Sequence, residues 1–307
     1  MTRILHLSDT HVSTTGRDMD GVDAIAAVER ILFDARHVPG LDAVVVSGDI
    51  ADDGSASGCK AVLERVGAFA ADRGIPHLYS TGNHDTRDSF REVLGSGHLS
   101  PDGRDRGALI DPDTEFCAAE SYVGGLRVIT LDSLVPGSTW GLLEKDQLAH
   151  LSRILASPAP HGTVLAFHHP PIHPASIPQV AKVVLQNIGD LEERVRGSDV
   201  RAILTGHLHF QLSGYLTGIP VWVTPGVVTR IDTSAPPHLV RGVLGAGATV
   251  VELPDDGAAP TFHLLIARDQ RAGEQVYLYD AESGADTTEG YPPEHSRDRR
   301  AGASSPS

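Results

Sequence analysis

Short apolar runs recur along the chain, and most of them are continuous rather than interrupted by alternating polar residues. They cover residues 4–7, 41–46, 75–79, 126–131, 163–167, 200–204, 221–223 and 248–253, and a further strand is predicted at residues 275–279. A continuous apolar run is typical of a strand that is covered on both faces. The pattern therefore predicts a set of buried β-strands.

Between some of these runs, apolar residues recur with the period of a helix. Such stripes consist of Ile25, Val28 and Leu32, of Val62, Val66 and Phe69, and of Leu148, Leu151 and Leu155. Strands and helices thus alternate in the first half, and strand-rich sequence follows. This order predicts an α/β layered fold.

Polar side chains with useful chemistry follow several of the predicted strands. Ligands of layered α/β proteins gather beyond the carboxyl ends of strands. The residues at these positions are Asp9, Asp49 and Asn83 after the first three strands, and His168 and His207 after later ones. Packing does not explain polar groups at so many strand ends, so we expect them to share one crevice.

Each of the first two motifs also has an ordinary structural explanation. The pair Asp9 and His11 is able to hold a metal ion, but such a triplet commonly caps a helix or faces solvent. Asp49 follows Gly48, which permits a sharp turn at the strand end. Its carboxylate could bridge two ions, or it could cap the next segment.

The segment Asn83-His84-Asp85 follows the third strand and combines three kinds of side chain. Asn83 offers an amide oxygen to a metal ion, His84 is a candidate proton donor to a phosphate, and Asp85 could orient its ring. The alternative is a simple turn, because Asn and Asp favour turns. The histidine between them argues against that alternative.

Histidine is unusually frequent, with 16 residues against 7 phenylalanines. His168 and His169 end one apolar run, and His207 and His209 end another. Alternation places the rings of the second pair on the same side of an extended chain. A lone histidine is more often a core or surface residue, but two clusters at strand ends favour metal ligation.

Composition limits the partners and the location. The net charge of −15 argues against a nucleic-acid duplex as the main partner. No apolar stretch reaches the roughly 20 residues of a membrane span, and no signal peptide precedes the first strand. Cys59 and Cys117 are best explained as unlinked thiols in a reducing compartment. We therefore predict a cytoplasmic protein, with a homodimer as an open alternative.

The domain boundary is predicted from the change in composition near the C-terminus. Residues 1–280 are expected to form one catalytic domain. Residues 281–307 are rich in Gly, Pro, Ser and charged residues. Such a composition cannot bury enough apolar surface to offset chain entropy, so this tail is predicted to be disordered.

The order of the motifs carries more information than any one of them. D-x-H, G-D, G-N-H-D, H and G-H-x-H follow one another between Arg3 and His209. This order resembles the calcineurin-like metallophosphoesterases, and the similarity is greatest to their class III cyclic-nucleotide phosphodiesterase branch. The resemblance implies a four-layer α/β/β/α sandwich of two mixed sheets flanked by helices.

The resemblance also implies a ligand set for two divalent transition-metal ions. One ion would be held by Asp9, His11, Asp49 and His209, and the other by Asp49, Asn83, His168 and His207. Asp49 would be the bridge, and His169 is the alternative to His168. Imidazole-rich sites favour transition metals, so iron and manganese are the first candidates and zinc is a further one.

The expected activity is hydrolysis of small phosphodiesters by a hydroxide that bridges the two ions. The resemblance implies 3′,5′-cyclic nucleotides such as cyclic AMP as the first substrate, with His84 and Asp85 as catalytic residues. A glycerophosphodiesterase or a broad-specificity phosphatase is the alternative. The loops at residues 136–140, 174–182 and 227–238 are expected to set specificity.

Overall fold

Strands and helices alternate through the first part of the chain, and strands dominate the rest. The computed structural model describes residues 1–110 and 112–287. Up to the middle of the chain the elements are β1 Thr2–Leu7, α1 Ala24–Ala35, β2 Ala43–Ser47, α2 Ala56–Ala71, β3 His77–Ser80, α3 Arg87–Leu94, β4 His98–Leu99, β5 Ala108–Leu109, β6 Ala119–Val123 and β7 Leu126–Thr130.

The second half begins with a helix and ends with a succession of strands. Its elements are α4 Lys145–Leu155, β8 Thr163–Ala166, the 3-10 helix Pro178–Lys182, α5 Ile188–Val195, β9 Val200–Thr205, β10 Leu212–Leu216, β11 Ile219–Val223, β12 Thr229–Ile231, β13 Leu239–Leu244, β14 Gly247–Leu253, β15 Thr261–Ile266 and β16 Gln275–Asp280. Within the described residues, no helix combines the length and apolar character needed to cross a membrane.

Two large sheets pack face to face. One has the strand order β15-β14-β1-β2-β3-β4, and the other has the order β10-β11-β9-β8-β7-β6-β5. Ile4, Val45 and Leu78 of the first sheet share a buried cluster with Val128 and Val164 of the second. Helices α1 and α2 cover the outer face of the first sheet, and α4 and α5 cover that of the second. The predicted four-layer α/β/β/α fold is therefore confirmed.

Burial on both faces explains why the predicted strands read as continuous apolar runs. In β1, Ile4 faces the partner sheet, whereas Leu5 and Leu7 face the helices. Both kinds of position are fully buried and favour apolar residues, and the buried His6 of the same strand lies 2.8 Å from the Ser47 hydroxyl. Each strand predicted from such a run is present, with bounds that differ by a residue or two at most of the ends.

The strands that the pattern missed are short or half-exposed. Strands β10 and β15 alternate exposed and partly buried residues, so they lack a continuous apolar run. Strands β12, β13 and β16 form a separate three-stranded sheet in the order β12-β13-β16. The strand predicted at residues 275–279 exists as β16, but it belongs to this small sheet.

The predicted boundary between residues 280 and 281 stays a prediction, and the described structure extends a short way past it. Residues 281–287 turn back along β16, because the N–H of Thr287 donates to the carbonyl of Leu278. The Asp280 carboxylate also accepts a hydrogen bond from the Ser283 hydroxyl at 2.8 Å. Residues 281–287 of the predicted tail thus contact β16, and residues 288–307 lie outside the described part.

The carboxyl ends of the parallel strands meet at one edge of the sandwich. Strands β1, β2 and β3 run parallel in one sheet, and β7, β8 and β9 run parallel in the other. Backbone N–H groups join the loops: Asp9 donates to Gly48 at 3.1 Å, and Gly206 donates to His168 at 3.1 Å. Across the two sheets, the N–H of His207 donates to the Asp9 carboxylate at 3.0 Å.

Candidate metal centre

An unusual backbone conformation follows these strand ends. Among the described residues other than glycine, six have a positive φ angle. Five of them are predicted ligands, and their φ angles are 57° at Asp9, 41° at His11, 48° at Asp49, 71° at His207 and 53° at His209. This left-handed conformation turns the chain sharply as soon as it leaves the sheet. The side chains consequently converge on one crevice.

Glycines beside the ligands allow the loops to approach closely. Gly48 has a φ angle of 88°, and a Cβ atom there would lie 2.5 Å from the Nδ1 atom of His168. A Cβ atom at Gly82 would lie 2.3 Å from the Asp49 carboxylate. A larger residue at either position would displace a predicted ligand. The glycines of the G-D and G-N motifs are therefore needed for the close approach of these loops.

The first group of ligand atoms comes from Asp9, His11 and His209, all within 4.8 Å of one another. The Nδ1 atom of His11 lies 2.8 Å from the Asp52 carboxylate, and that of His209 lies 2.9 Å from the Thr229 hydroxyl. With a proton on each Nδ1, the Nε2 lone pairs face each other at 3.1 Å. A cation between these nitrogens satisfies both of them.

The second group is built in the same way on the other side of Asp49. His168 donates from Nδ1 to the backbone carbonyl of Ser47 at 2.8 Å, which leaves its Nε2 as a bare ligand atom. This Nε2 lies 3.1 Å from the Asp49 carboxylate and 3.2 Å from the Nδ1 atom of His207. The amide oxygen of Asn83 is buried and has no hydrogen-bond partner, as expected of a metal ligand.

Asp49 lies between the two groups. Its Oδ1 atom accepts a hydrogen bond from the backbone N–H of His84 at 2.8 Å, which fixes the carboxylate. The Oδ2 atom lies 3.1 Å from the Nε2 of His168 and 3.6 Å from the Nε2 of His11. One carboxylate thus faces both groups, which is the arrangement required of a bridging ligand.

Buried charge gives a further reason to expect cations. Asp9 and Asp49 are 0% and 2% exposed, and their ion-pair partners are histidines. Burial would raise the pKa of Asp9, but His209 and His168 hold it below its ordinary value. Burial lowers the pKa of His168, and the Asp49 and Asp9 charges outweigh this effect and raise it to about 9. A divalent ion replaces such protons directly.

The geometry separates the two neighbouring histidines. His168 faces Asp49, whereas the Nδ1 atom of His169 lies 2.8 Å from the hydroxyl of Ser133. His169 still lies close to His207, with 4.6 Å between ring centroids, and its Nε2 atom has no hydrogen-bond partner. Contact with Asp49 supports His168 as the ligand, and His169 stays the alternative because its ligand atom lies within 4.8 Å of those of His168 and His207.

We predicted that Asp85 orients the ring of His84, and the structure gives this contact to Asp52 instead. The Asp85 carboxylate accepts backbone hydrogen bonds from Ile50 at 3.1 Å and from Ala51 at 2.8 Å, so it joins two loops. The Nδ1 atom of His84 donates to the Asp52 carbonyl at 2.9 Å, and the Asp52 carboxylate lies 3.4 Å away. Asp85 faces the backbone because its buried oxygens need these N–H donors.

Asp52 and Thr229 are therefore site residues that the sequence reasoning missed. Asp52 contacts both His11 and His84, and Thr229 contacts His209. A carboxylate three residues after Asp49 was a usable signal for Asp52. No local motif marks Thr229, which reaches the site from the small C-terminal sheet.

Replacing Asp52 with Asn should weaken metal binding. The carboxylate holds the tautomer of His11, and loss of such a partner typically costs about 10–100-fold in metal affinity. Asp53 provides a matched control, since its carboxylate contacts Thr14 rather than a histidine. Titration of manganese into Asp52→Asn and Asp53→Asn should show weaker binding for Asp52→Asn alone. Equal affinities would remove Asp52 from the site.

A cavity of about 880 Å³ opens over the two ligand groups. The three loops predicted to set specificity all reach it, through residues such as Thr139, Ile177 and Ile231. Tyr277 and Tyr279 of β16 also line it, which the sequence reasoning did not foresee. None of the described residues that line this cavity is a lysine or an arginine. Positive charge at its floor must therefore come from bound ions or histidine.

Comparison with known proteins gives a consistent result. The chain is 37% identical over 258 residues to a cAMP/cGMP dual specificity phosphodiesterase of Mycobacterium tuberculosis, covering 82% of this chain and 76% of that protein. It is 37% identical to a Rhodococcus erythropolis protein named as a probable cyclic nucleotide phosphodiesterase, with coverages of 92% and 88%.

Solved structures agree at the level of the fold. The Thermus thermophilus protein TT1561 superimposes with a TM-score of 0.54 at 12% identity, covering 87% of this chain and 99% of its own. The calcineurin-like phosphoesterase family matches residues 2–211, the segment that contains all the predicted ligands. The chain therefore belongs to the calcineurin-like phosphoesterases.

Proposed function

We propose that this phosphoesterase hydrolyses small phosphodiesters, with 3′,5′-cyclic nucleotides as its first substrate class. The observation that carries the proposal is a pair of ligand groups that share Asp49 at the floor of a cavity of about 880 Å³. Relatives that are 37% identical over most of the chain bear the names of cyclic nucleotide phosphodiesterases. Such a cavity is large enough for a nucleotide-sized ligand.

The donor set fits two transition-metal ions. Asp9, His11, Asp49 and His209 would hold one ion, and Asp49, Asn83, His168 and His207 would hold the other. Imidazole nitrogens with few carboxylates suit iron, manganese or zinc better than calcium or magnesium. When bound, the two ions supply Lewis acidity and lower the pKa of a water molecule.

The chain's own residues would position the substrate and move a proton. The ring of His84 is 29% exposed to the cavity and is anchored through Nδ1 on Asp52. Its Nε2 atom is thus the ring position left for a phosphoryl or leaving-group oxygen. Burial lowers the pKa of His84, but Asp49 and Asp52 more than compensate and raise it to about 10. Asp9 and Asp49 limit the positive charge of the loaded site, which suits a monoanionic diester.

The class of substrate can be tested in one assay series with manganese added at neutral pH. We expect turnover of an aryl phosphodiester to exceed that of the matching aryl monoester, and cyclic AMP to be hydrolysed. A diester has a single negative charge and two substituents, for which the cavity provides space. Faster cleavage of the monoester, with cyclic AMP left intact, would instead identify a phosphatase.

A further inference from the structure

A wall of aromatic rings lines the cavity on the side of the small C-terminal sheet. Tyr277 and Tyr279 are two residues apart on β16, so both side chains project from the same face. Their ring centroids are 5.8 Å apart and their planes differ by 24°. The two rings are thus nearly parallel, unlike the perpendicular rings that enclose a quaternary ammonium group.

The neighbouring strand β13 leaves space for the ring of Tyr277. Gly242 of β13 pairs with Tyr277, and Val240 pairs with Tyr279. A Cβ atom at Gly242 would lie 2.2 Å from the ring of Tyr277, so the ring lies directly over this glycine. The position of Tyr277 is therefore fixed by the sheet and does not depend on a ligand.

A single side chain separates the aromatic wall from the candidate metal centre. The Thr229 hydroxyl contacts the Nδ1 atom of His209 at 2.9 Å, and it also interacts with the phenol of Tyr277. The two tyrosines therefore lie on the His209 side of the cavity that opens over the ligand groups. A nucleotide with its phosphate at the floor of this cavity would have its base as the group able to reach them.

Among the cavity-lining residues that the structure describes, the rim of the same region has hydrogen-bond acceptors and no lysine or arginine. Asp20 and Asp286 line the cavity with exposed carboxylates, close to Tyr279 and to each other. Asp18 belongs to the same rim, but its carboxylate already accepts hydrogen bonds from the backbone of Asp20 and Val22. Free carboxylates favour a group with N–H donors and disfavour a second phosphate.

We infer that Tyr277 and Tyr279 form a purine-binding subsite, with Asp20 and Asp286 placed to accept hydrogen bonds from amino or ring N–H groups of the base. This inference rests on the proposed function, because it assigns the base of a cyclic nucleotide to one side of the cavity. Tyr277 contacts Thr229, so changing it would also disturb His209. Tyr279 is consequently the residue to alter.

The first test separates base recognition from chemistry. Stacking of a base on an aromatic side chain is worth about 5–150-fold in affinity. We expect Tyr279→Ala to lower kcat/KM for cyclic AMP by a factor in this range, mainly through KM. Methyl p-nitrophenyl phosphate, which has no base, should be hydrolysed within about twofold of the original rate. Tyr279→Phe, which keeps the ring, should behave like the unaltered protein.

The second test does not depend on turnover. Calorimetry of the manganese-loaded protein should show tighter binding of AMP than of ribose 5-phosphate, and Tyr279→Ala should remove most of that difference. Asp20→Asn should reduce the preference for AMP over purine riboside 5′-monophosphate, whose base has neither an amino group nor a ring N–H group. Tyr122 lies on β6 and is exposed, so Tyr122→Ala serves as the control.

The outcomes distinguish this inference from the proposed function. If the protein cleaves the base-free diester but not cyclic AMP, the cyclic-nucleotide assignment fails, and the binding comparison still decides on the subsite. Equal affinities for AMP and ribose 5-phosphate would overturn the subsite. So would a Tyr279→Ala variant that loses activity equally on both diesters. Selective binding of glycerophosphocholine at the same tyrosines would identify a cation site instead.

Discussion

Replacing Asp49 with Ala should leave the protein with well under one metal ion per chain and reduce phosphodiester hydrolysis by more than about 10³-fold. The Asp49 carboxylate lies close to both groups, at 3.1 Å from the Nε2 of His168 and 3.6 Å from that of His11, whereas Asp9 is closer to His209 than to His168. Its removal takes a ligand from each ion at once. It also removes a negative charge that offsets the two cations, so the remaining ligands of each group bind their ion more weakly.

Metal analysis of the purified variant by mass spectrometry is the direct measurement. Asp53→Ala is a suitable control, because this nearby carboxylate is exposed. Asp53 accepts hydrogen bonds from the N–H and the hydroxyl of Thr14 and contacts no predicted ligand in them. Circular dichroism should establish that both variants are folded. An Asp49→Ala protein that retains two ions would disprove the bridging assignment.

His84→Ala should retain its metal content while kcat falls by about 10²–10⁴-fold, the usual contribution of a positioned proton donor. His84 lies beside the ligands without belonging to either group, and its ring is anchored by Asp52. If it protonates the leaving oxygen, the loss should be large for an alkoxide and small for nitrophenolate. We therefore expect kcat of His84→Ala to fall more steeply with rising leaving-group pKa than kcat of the unaltered protein does.

A set of diesters with leaving groups of graded pKa measures this dependence. An equal loss across the series would indicate that His84 stabilises charge on the phosphoryl oxygens and does not donate the proton. His161→Ala is the matched control, since that histidine is partly exposed and lies near Asp255. Loss of metal from His84→Ala would place this residue among the ligands and contradict the assignment.

The sequence was informative where a residue's role depends on its position along a strand. Asp9, Asp49 and His168 each follow an apolar run, and the topology of parallel strands brings such positions together at one edge. The buried strands were predictable for the same reason, because burial on both faces leaves a continuous apolar run. Local pattern and tertiary position agree in these cases.

The rest depends on contacts between segments that are distant in the sequence. Thr229 is 20 residues from His209 and reaches it only because β12 belongs to a separate sheet. Tyr277 is farther still, and its strand gave no hint that it would line the cavity. Asp85 shows the opposite error: a neighbour in sequence was expected to contact His84, but the backbone N–H groups of Ile50 and Ala51 bind its carboxylate.

The left-handed conformation of the five ligand residues has an energetic consequence. A residue other than glycine held in this region costs about 1–3 kcal/mol, so the crevice keeps several kcal/mol of strain at Asp9, His11, Asp49, His207 and His209. The total stability of a typical domain is only about 5–15 kcal/mol. Glycine at any of these positions would relax the backbone and remove a ligand in the same step. Selection for thermal stability alone would therefore drive this chain towards an inactive protein.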